Sequence, residues 1–386
     1  MKTVSDQILR ILKLLAITCR NSVILLKVLV LGGAGDMGSG VVEALCGFKV
    51  SEILVGDINY ERARSVSDTF SRTIGCNTYP VKVDALNVES LREVAVGLDV
   101  VVNAVGPFYK YGYRIAENLV RLGLNFVDVC DDHDATLMEL GLDQDARRSG
   151  VTAVIGMGWT PGLSNILAKL GSRELGLLDS IDIYWVGSAA DSRGLAVVMH
   201  LFHALIGEVP MFLDGKLVNV KAGDNGVYVE FPEPIGGVKL YYTGHPEPLT
   251  IPRYLNVKNR VIVKGGLIPG WQTGFAKFLL RLLRVRTLGG IERLAKVIHR
   301  VEGVFRVGGL QLSGLRVDIE GGGRRISYIA MDRMKRLTGL PAALGALLIA
   351  DGELEFKGIK PPEGAIEDPE AFIKKLEEVG LRILRV

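Results

Sequence analysis

Val28-Leu29-Val30-Leu31-Gly32-Gly33-Ala34-Gly35-Asp36-Met37-Gly38 is the stretch whose reading decides the fold. An unbroken apolar run of this length reads as a strand buried on both faces, and it passes straight into a turn and then a helix. Gly33, Gly35 and Gly38 take the G-x-G-x-x-G spacing, with Ala34, Asp36 and Met37 between them. The first glycine permits the tight turn, the second lets a pyrophosphate approach the backbone, and the third allows close helix–strand packing, while the helix N-terminus faces the phosphate charge. The next strand ends in Gly56-Asp57, nineteen residues beyond Gly38, followed by Ile58. A carboxylate there can grip ribose hydroxyls and repels a 2′-phosphate, so NAD is the expected cofactor. Arg62 and Arg64 follow closely and keep NADP open.

Outward from this turn, apolar runs alternate with helix-length segments. The runs are Val28–Leu31, Ile53–Val55, Tyr79–Val83, Val100–Asn103, Phe126–Val129 and Thr152–Ile155, and the helical segments include Ser39–Cys46, Glu61–Thr73 and Arg114–Leu122. Such alternation implies an α/β fold with a doubly wound, parallel Rossmann-type sheet over 27–158. Beyond it the rhythm becomes α+β and mostly antiparallel, over 159–331. Strand-like segments there are Ile181–Val186, Gly226–Phe231, Val238–Thr243 and Arg260–Lys264, and a hairpin is expected around Gly321-Gly322-Gly323. Residues 332–386 return to helix, with Pro341 near the first turn of a helix over 337–350 and Gly352 after its end. The capped apolar helix needs a partner surface, and it is expected to pack back on the Rossmann sheet.

Bulk composition excludes several classes. Lys plus Arg is 46 against 43 Asp plus Glu, a balance of +3 with no basic block interleaved with aromatics, so no nucleic acid is expected as partner. Residues 1–26 form an N-terminal extension in which Arg10 and Lys13 interrupt the apolar stretch Ile8–Ala16, so stable membrane insertion is not expected. A signal peptide is the competing reading of that extension, but no clear cleavage site follows. The four cysteines, Cys19, Cys46, Cys76 and Cys130, are widely spaced; a disulfide framework and a zinc knuckle are not expected, and a reducing cytoplasm is the simplest home. Only four glutamines are present, a composition that points towards a hot-growing source.

Ligands of open α/β sheets sit outside the carboxyl ends of strands. The cofactor surface is therefore expected to add Asp84 and Ala85 after the third strand, Asn103, Ala104, Val105 and Gly106 after the fourth, and Asp128 in the fifth. Asp84 has a helix N-cap as its competing role. Tyr109, Tyr111 and Tyr113 either pack against a neighbouring domain or face substrate. Thr160-Pro161-Gly162 opens a helix whose free N–H groups could hold a substrate carboxylate, or is an ordinary proline helix start. In Asp131-Asp132-His133-Asp134, Asp131 and Asp132 are candidates to hold an ammonium group; otherwise the cluster caps the next helix, with Asp134 as N-cap. His245, set between Gly244 and Pro246 with Glu247 close by, is the candidate acid/base, with a pKa near its ordinary value of about 6.5, unless the turn is purely structural. His200 and His203, three apart with no acidic residue spaced with them, read as surface or packing, and His299 suits a helix C-terminus. No metal set is expected.

Together these motifs resemble the saccharopine dehydrogenase-like reductases. The carriers are Gly33 to Gly38, Asn103 to Phe108 with Tyr111-Gly112, Phe126-Val127-Asp128, Thr160 to Asn165, Thr243 to Pro248, Lys264-Gly265-Gly266, Thr338 to Ala342 and Gly358 to Glu363. The resemblance implies a Rossmann domain, an inserted α+β domain and C-terminal helices returning to the first; separately, a homodimer is expected. It implies NAD(P)-dependent chemistry on a C–N bond of an amino acid, with Phe108, Tyr111, Trp159, Thr160, Pro161, Gly162, Asn165 and Glu247 on the substrate side. Saccharopine-forming members tend to carry Asp-Pro-Gly where this chain has Thr160-Pro161-Gly162, which speaks against saccharopine itself and leaves the lysine 6-dehydrogenase-like and carboxynorspermidine-forming relatives. A redox-inactive NAD-binding sensor or scaffold is the alternative function.

The glycine-turn assignment has a direct test. Gly35→Val should push a side chain into the pyrophosphate path and greatly weaken NAD binding, measured by titration of the folded protein. Unchanged affinity would remove the assignment, and tighter binding of NADP than of NAD would reverse the cofactor preference.

Overall fold

A computed structural model describes residues 24–192, 194–301 and 309–386. The expectations placed on the N-terminal extension fall almost wholly outside the described residues. The first half runs β1 (Ile24–Leu31), α1 (Asp36–Gly47), β2 (Val50–Asp57), α2 (Tyr60–Thr73), β3 (Thr78–Lys82), α3 (Val88–Val94), β4 (Val100–Asn103), α4 (Phe108–Arg121), β5 (Phe126–Asp128), α5 (His133–Leu140), α6 (Asp143–Arg148) and β6 (Thr152–Val154). Asn59 and Asn87 start α2 and α3 by accepting backbone N–H bonds that would otherwise be orphaned.

The second half runs α7 (Leu163–Leu175), β7 (Leu178–Ser188), α8 (Leu195–Ala204), β8 (Glu208–Leu213), β9 (Lys216–Lys221), β10 (Val227–Glu230), β11 (Gly237–Tyr242), α9 (Glu247–Tyr254) and β12 (Val257–Ile268). It continues with α10 (Trp271–Leu282), α11 (Leu288–Val301), β13 (Ser313–Gly321), β14 (Arg324–Asp332), α12 (Met334–Ala350), β15 (Gly358–Lys360), α13 (Pro362–Ala365), α14 (Pro369–Glu378) and β16 (Ile383–Arg385).

One sheet has the order β15-β6-β5-β4-β1-β2-β3, with every pairing parallel. The order reverses between β1 and β4, which opens a crevice at their carboxyl ends. Alternate residues of one strand enter different cores: Val28 and Val30 join one, Leu29 and Leu31 the other. That two-sided burial is why the sequence shows unbroken apolar runs instead of alternation.

The second sheet, β10-β11-β12-β7-β13-β14-β16 with β8 and β9 attached through β12, is antiparallel throughout except for the long parallel pair β7/β12. The expected hairpin is β13–β14, turning through Gly322 and Gly323, both at positive φ. The same core that takes Val28 takes Ile183, Val263 and Val317 of the second sheet, with Leu163 to Ala168 of α7 and Leu337 to Ile349 of α12. The two sheets therefore share one core through α7 and α12.

Three sequence readings are corrected. The helix expected over 337–350 begins at Met334, so Pro341 sits inside it, beyond the first turn where it was expected. The fourth helix starts at Phe108, six residues before the apolar pattern suggested. Cys46, in the last turn of α1, and Cys76, just after α2, are joined by a disulfide with Cα atoms 5.6 Å apart. Thirty residues separate them in sequence, and only the packing of α1 and α2 beside β2 brings them together. The expectation of no disulfide fails for this pair.

The return of α12 to the first sheet depends on small residues at the crossing with α1. A Cβ at Gly339 would lie 2.4 Å from the Gly40 carbonyl oxygen, and one at Gly40 would lie 2.3 Å from that of Lys335. The salt bridge from Lys335 to Glu43 at 2.6 Å closes the same contact. Gly339→Val should force the helices apart and cost about 1–3 kcal/mol, read as a lowered denaturation midpoint. A midpoint equal to that of the wild type would contradict the close crossing.

Candidate active site

A cavity of about 620 Å³ lies at the crevice of the parallel sheet. Its floor comes from Gly32 and Gly35 to Met37 after β1 and from Ala104 to Phe108 after β4. Its far wall comes from Trp159 to Pro161, Trp185, Leu267 and the helices α8, α10 and α11.

The glycine turn fits a dinucleotide. A Cβ at Gly38 would fall 2.1 Å from the Gly32 carbonyl oxygen, so only glycine lets α1 begin this close to the turn. Gly35 donates its N–H to the Gly32 carbonyl at 2.8 Å, and α1 aims its first turn at the cavity. Asp57 and Arg62 both reach the wall at the end of β2. Asp57 accepts the N–H of Asn59 at 2.9 Å, and the Arg62 guanidinium donates to the Ala34 carbonyl at 3.1 Å. Asp57 suits bare ribose hydroxyls and Arg62 suits a 2′-phosphate, so either nicotinamide dinucleotide finds a partner at this edge.

Of the residues expected from sequence, Gly35, Asp36, Met37, Asp57, Ala104, Val105, Gly106, Phe108, Asp131, Trp159, Thr160, Pro161 and His245 meet at this one cavity. Others shape it from behind. Gly33 and Gly38 close the turn, Ala34 is buried within it, and Asn103 holds the following loop by accepting the Val105 N–H at 3.1 Å. Ile58 is exposed just past Asp57.

Several lie elsewhere. Asp84 accepts the Leu86 N–H, and Ala85 is buried; Asn87, not Asp84, caps α3. Asp128 is wholly buried, its Oδ1 accepting the N–H groups of Cys130 and Gly156 at 2.9 and 2.7 Å, so it ties two loops together away from the cavity wall. Tyr111 packs into the core on the other side of the sheet, and Tyr109 stacks near His203, which is the packing reading of the tyrosines. Asp132, not Asp134, occupies the N-cap of α5.

At the loop Thr160-Pro161-Gly162, three successive N–H groups at the start of α7 are already used. Gly162, not proline, caps α7, and its N–H goes to Asn165 Oδ1 at 2.9 Å. The next two, of Leu163 and Ser164, go to the carbonyls of Gly158 and Trp159 at 2.9 and 3.3 Å. These three groups are therefore not free to hold a substrate carboxylate. Glu247 Oε1 accepts the hydroxyls of Thr160 and Ser164 at 2.6 and 2.9 Å, and Asn165 donates to Glu363 at 2.8 Å. Gly162, Asn165 and Glu247 thus form a buried network beneath the wall. Burial pushes both carboxyls up, that of Glu363 to about 7.

The polar end of the cavity is built from two distant segments. His200 on α8 places Nδ1 2.8 Å from Asp132 Oδ1 and 3.3 Å from Asp131 Oδ1. Asp132 also accepts the Tyr109 N–H at 2.8 Å, which fixes its orientation. Burial alone would lower the His200 pKa, but Asp131 and Asp132 outweigh it and hold it at about 9. Asp131 is pushed up to about 7, chiefly by burial, with His200 opposing and Asp132 adding; its 34% exposure opens to the cavity. One turn on, His203 pairs with Asp134 at 3.3 Å beside His133. Each trio, Asp131–Asp132–His200 and His133–Asp134–His203, brings three metal-ligand-type atoms within 4.8 Å of one another.

His245 reaches the cavity, but not as the base expected from sequence. Burial, then His200 and His133, hold it well below the ordinary histidine range, so it is neutral near pH 7. It lies edge-on to His200 at 5.1 Å and against Trp185 at 5.5 Å. Sequence reading missed His200 and Trp185. Asp132 and His200 stand 68 positions apart, so no local spacing could reveal their pairing. The i, i+3 repeat of His200 and His203 facing the Asp131–Asp134 run was the available signal.

The His200 pair predicts a pH dependence. Its folded pKa is raised from 6.5 to about 9, so its stabilisation is fully present below about 6.5 and is lost as pH rises through about 9. The melting temperature of the wild type should fall across that window, and His200→Gln should remove that part of the fall. An identical pH profile for both proteins would contradict the pairing.

Residues 28–154 match the saccharopine dehydrogenase NADP binding domain family. A lipid droplet localized protein of Caenorhabditis elegans is 30% identical over 151 residues, which is 37% of this chain and 34% of that protein. The match thus spans about a third of that curated relative's length. Apo saccharopine dehydrogenase (L-Glu forming) from Saccharomyces cerevisiae superposes with a TM-score of 0.66 at 14% identity, over 93% of this chain and 99% of that one, and so shares the fold. GenD2 from gentamicin A biosynthesis, in complex with NAD, is a looser likeness at a TM-score of 0.41 and 11% identity, over 95% and 98% of the two chains. Residues 28–154 thus match the nucleotide-binding domain of that family, and nearly the whole length of the chain shares the fold of saccharopine dehydrogenase.

Proposed function

We propose that the chain is an NAD(P)-dependent oxidoreductase that acts on a C–N bond, oxidising an amine to an imine or running the reverse reduction. The observation that carries this reading is Asp131, a carboxyl with a pKa of about 7 on the cavity wall, backed by a protonated His200. The dinucleotide supplies or accepts the hydride. The chain's own groups handle the proton. An ammonium entering the cavity pairs with the Asp131 carboxylate and passes it a proton, leaving the neutral amine that hydride loss requires. In the reductive direction protonated Asp131 returns that proton to nitrogen. Asp132 keeps His200 cationic, and His200 in turn sustains negative charge on Asp131 through successive turnovers. Neutral His245, with Trp159 and Trp185, completes the wall of the cavity and adds no charge to it.

The same wall narrows the substrate. Among the described residues lining the cavity, Arg62 is the one Arg or Lys, and it stands at the glycine-turn end. The same cavity is lined by Trp159, Trp185, Leu201 and Leu267, which suits an amine with an apolar body better than one carrying a second carboxylate. The amino-acid substrate implied by the family resemblance is therefore the arm of the test against which apolar amines are compared.

The test is turnover, followed by nicotinamide absorbance with NAD and with NADP. The panel holds lysine, saccharopine, polyamine conjugates and long-chain alkylamines beside matched hydroxy acids and alcohols. Amines should react, and Asp131→Asn should lower kcat by roughly 10²-fold or more while cofactor affinity holds. Turnover confined to the hydroxy compounds would refute the C–N assignment. Tight cofactor binding without turnover of any member would favour a redox-inactive NAD-binding sensor.

A further inference from the structure

The helix pair α10–α11 is apolar on two sides. The inner side of α10 places Ala276 and Leu279 on the cavity wall. The outer side carries Trp271, Phe275, Phe278 and Leu282, at 58%, 38%, 57% and 61% exposure. These four fall at i, i+4, i+7 and i+11, which is a single stripe along one face of a helix. Leu283 and Leu288 extend the exposed apolar surface towards α11. Phe275 belongs to both sides, since it lines the cavity and is exposed, so the stripe reaches the rim of the cavity. Large contiguous apolar surface of this kind marks an interaction site.

Charge selects the occupant. Between Pro269 and Arg300 stand seven Lys or Arg residues and one acidic residue, Glu292, which is already bridged to Lys110 and Lys296. Arg281, Arg284 and Arg286, beside the stripe, make no ion pair with an acid among the described residues, and all three are exposed. An exposed aromatic and leucine face rimmed by unpaired basic groups suits an anionic lipid surface: rings and aliphatic chains sink into the headgroup boundary and arginines meet phosphates. None of the described helices is long and apolar enough to cross a membrane, so the contact is peripheral.

We infer that α10–α11 docks the protein on an anionic lipid bilayer, setting the mouth of the apolar cavity against the lipid from which an apolar substrate enters. This inference rests on the cavity and the helix face, not on the C–N chemistry, and its test requires no turnover. Wild-type protein is mixed with vesicles of phosphatidylcholine, with and without phosphatidylglycerol, and sedimented. Binding should be at least about tenfold stronger to the anionic vesicles and should weaken with added salt. Of the three tryptophans, Trp159 and Trp185 are buried and Trp271 is exposed, so the emission should shift to the blue on binding. Trp271→Phe should abolish that shift. Phe278→Asp combined with Leu282→Asp should leave the protein in the supernatant with an unchanged melting temperature and cofactor affinity. Should that variant misfold, Arg281→Glu with Arg286→Glu must lose the preference for anionic vesicles. Three results would each overturn the inference: wild type that stays in solution, a stripe or charge variant that binds as well as wild type, or light scattering that shows a dimer which the stripe variant dissolves. The last would assign the face to a second copy of the chain.

Discussion

The pairing of His200 and His203 with Asp132 and Asp134 spans the two sheets, and the cavity exists because of it. The aspartates stand in the loop after β5, at the carboxyl edge of the parallel sheet, and the histidines stand on α8 of the second half. Each side partners the other. Two adjacent carboxylates, one of them fully buried, need a cation, and a buried imidazole stays charged only when carboxylates hold it so. Pairing them draws α8 over the crevice, and α10 and α11 follow because Met199 and Phe202 pack with Ala276, Leu280, Ile291 and Leu294 in a small core of their own. One electrostatic contact thus encloses the space beside the glycine turn and gives it a titratable end.

That arrangement divides labour among ionisable groups of similar depth. His200 and His245 are neighbours, yet one is held protonated and the other neutral, because Asp131 and Asp132 outweigh burial at His200 while burial, then the charges of His200 and His133, act on His245. Glu247 and Glu363 lie under the wall with their carboxyls pushed up and bound to hydroxyl and amide donors. They hold the Thr160 loop and α7 in place. Asp131 combines a pKa of about 7 with an opening to the cavity.

What the sequence reveals follows from the range of the interactions. The strand, glycine turn and helix at residues 28–47 are legible because every determinant lies within one local unit. The β13–β14 hairpin is legible for the same reason, and so is the apolar face of α12 that needs a partner. The parallel pairing of β7 with β12 is not, because some eighty positions separate Ile181 from Val261 and either direction would satisfy their alternation. The β8–β9 hairpin was missed although Asp214-Gly215 between two partly apolar runs is a local hairpin signal. Cys46 with Cys76, and Asp132 with His200, are juxtapositions made by the fold. At Thr160-Pro161-Gly162 the sequence signals a helix start correctly, but not that neighbouring carbonyls and Asn165 consume its donors.

The account stands on a nicotinamide dinucleotide lying along the crevice with its reactive end beside Asp131 and His200. A crystal structure of the protein grown with NADH or NADPH tests this most directly. The account predicts pyrophosphate density against the first turn of α1 at Gly35 to Met37, adenosine ribose between Asp57 and Arg62, and nicotinamide beside Gly106 to Phe108 within reach of Asp131. A dinucleotide bound away from the glycine turn, or one whose nicotinamide points out of the cavity with Asp131 and His200 left apart from it, would contradict it.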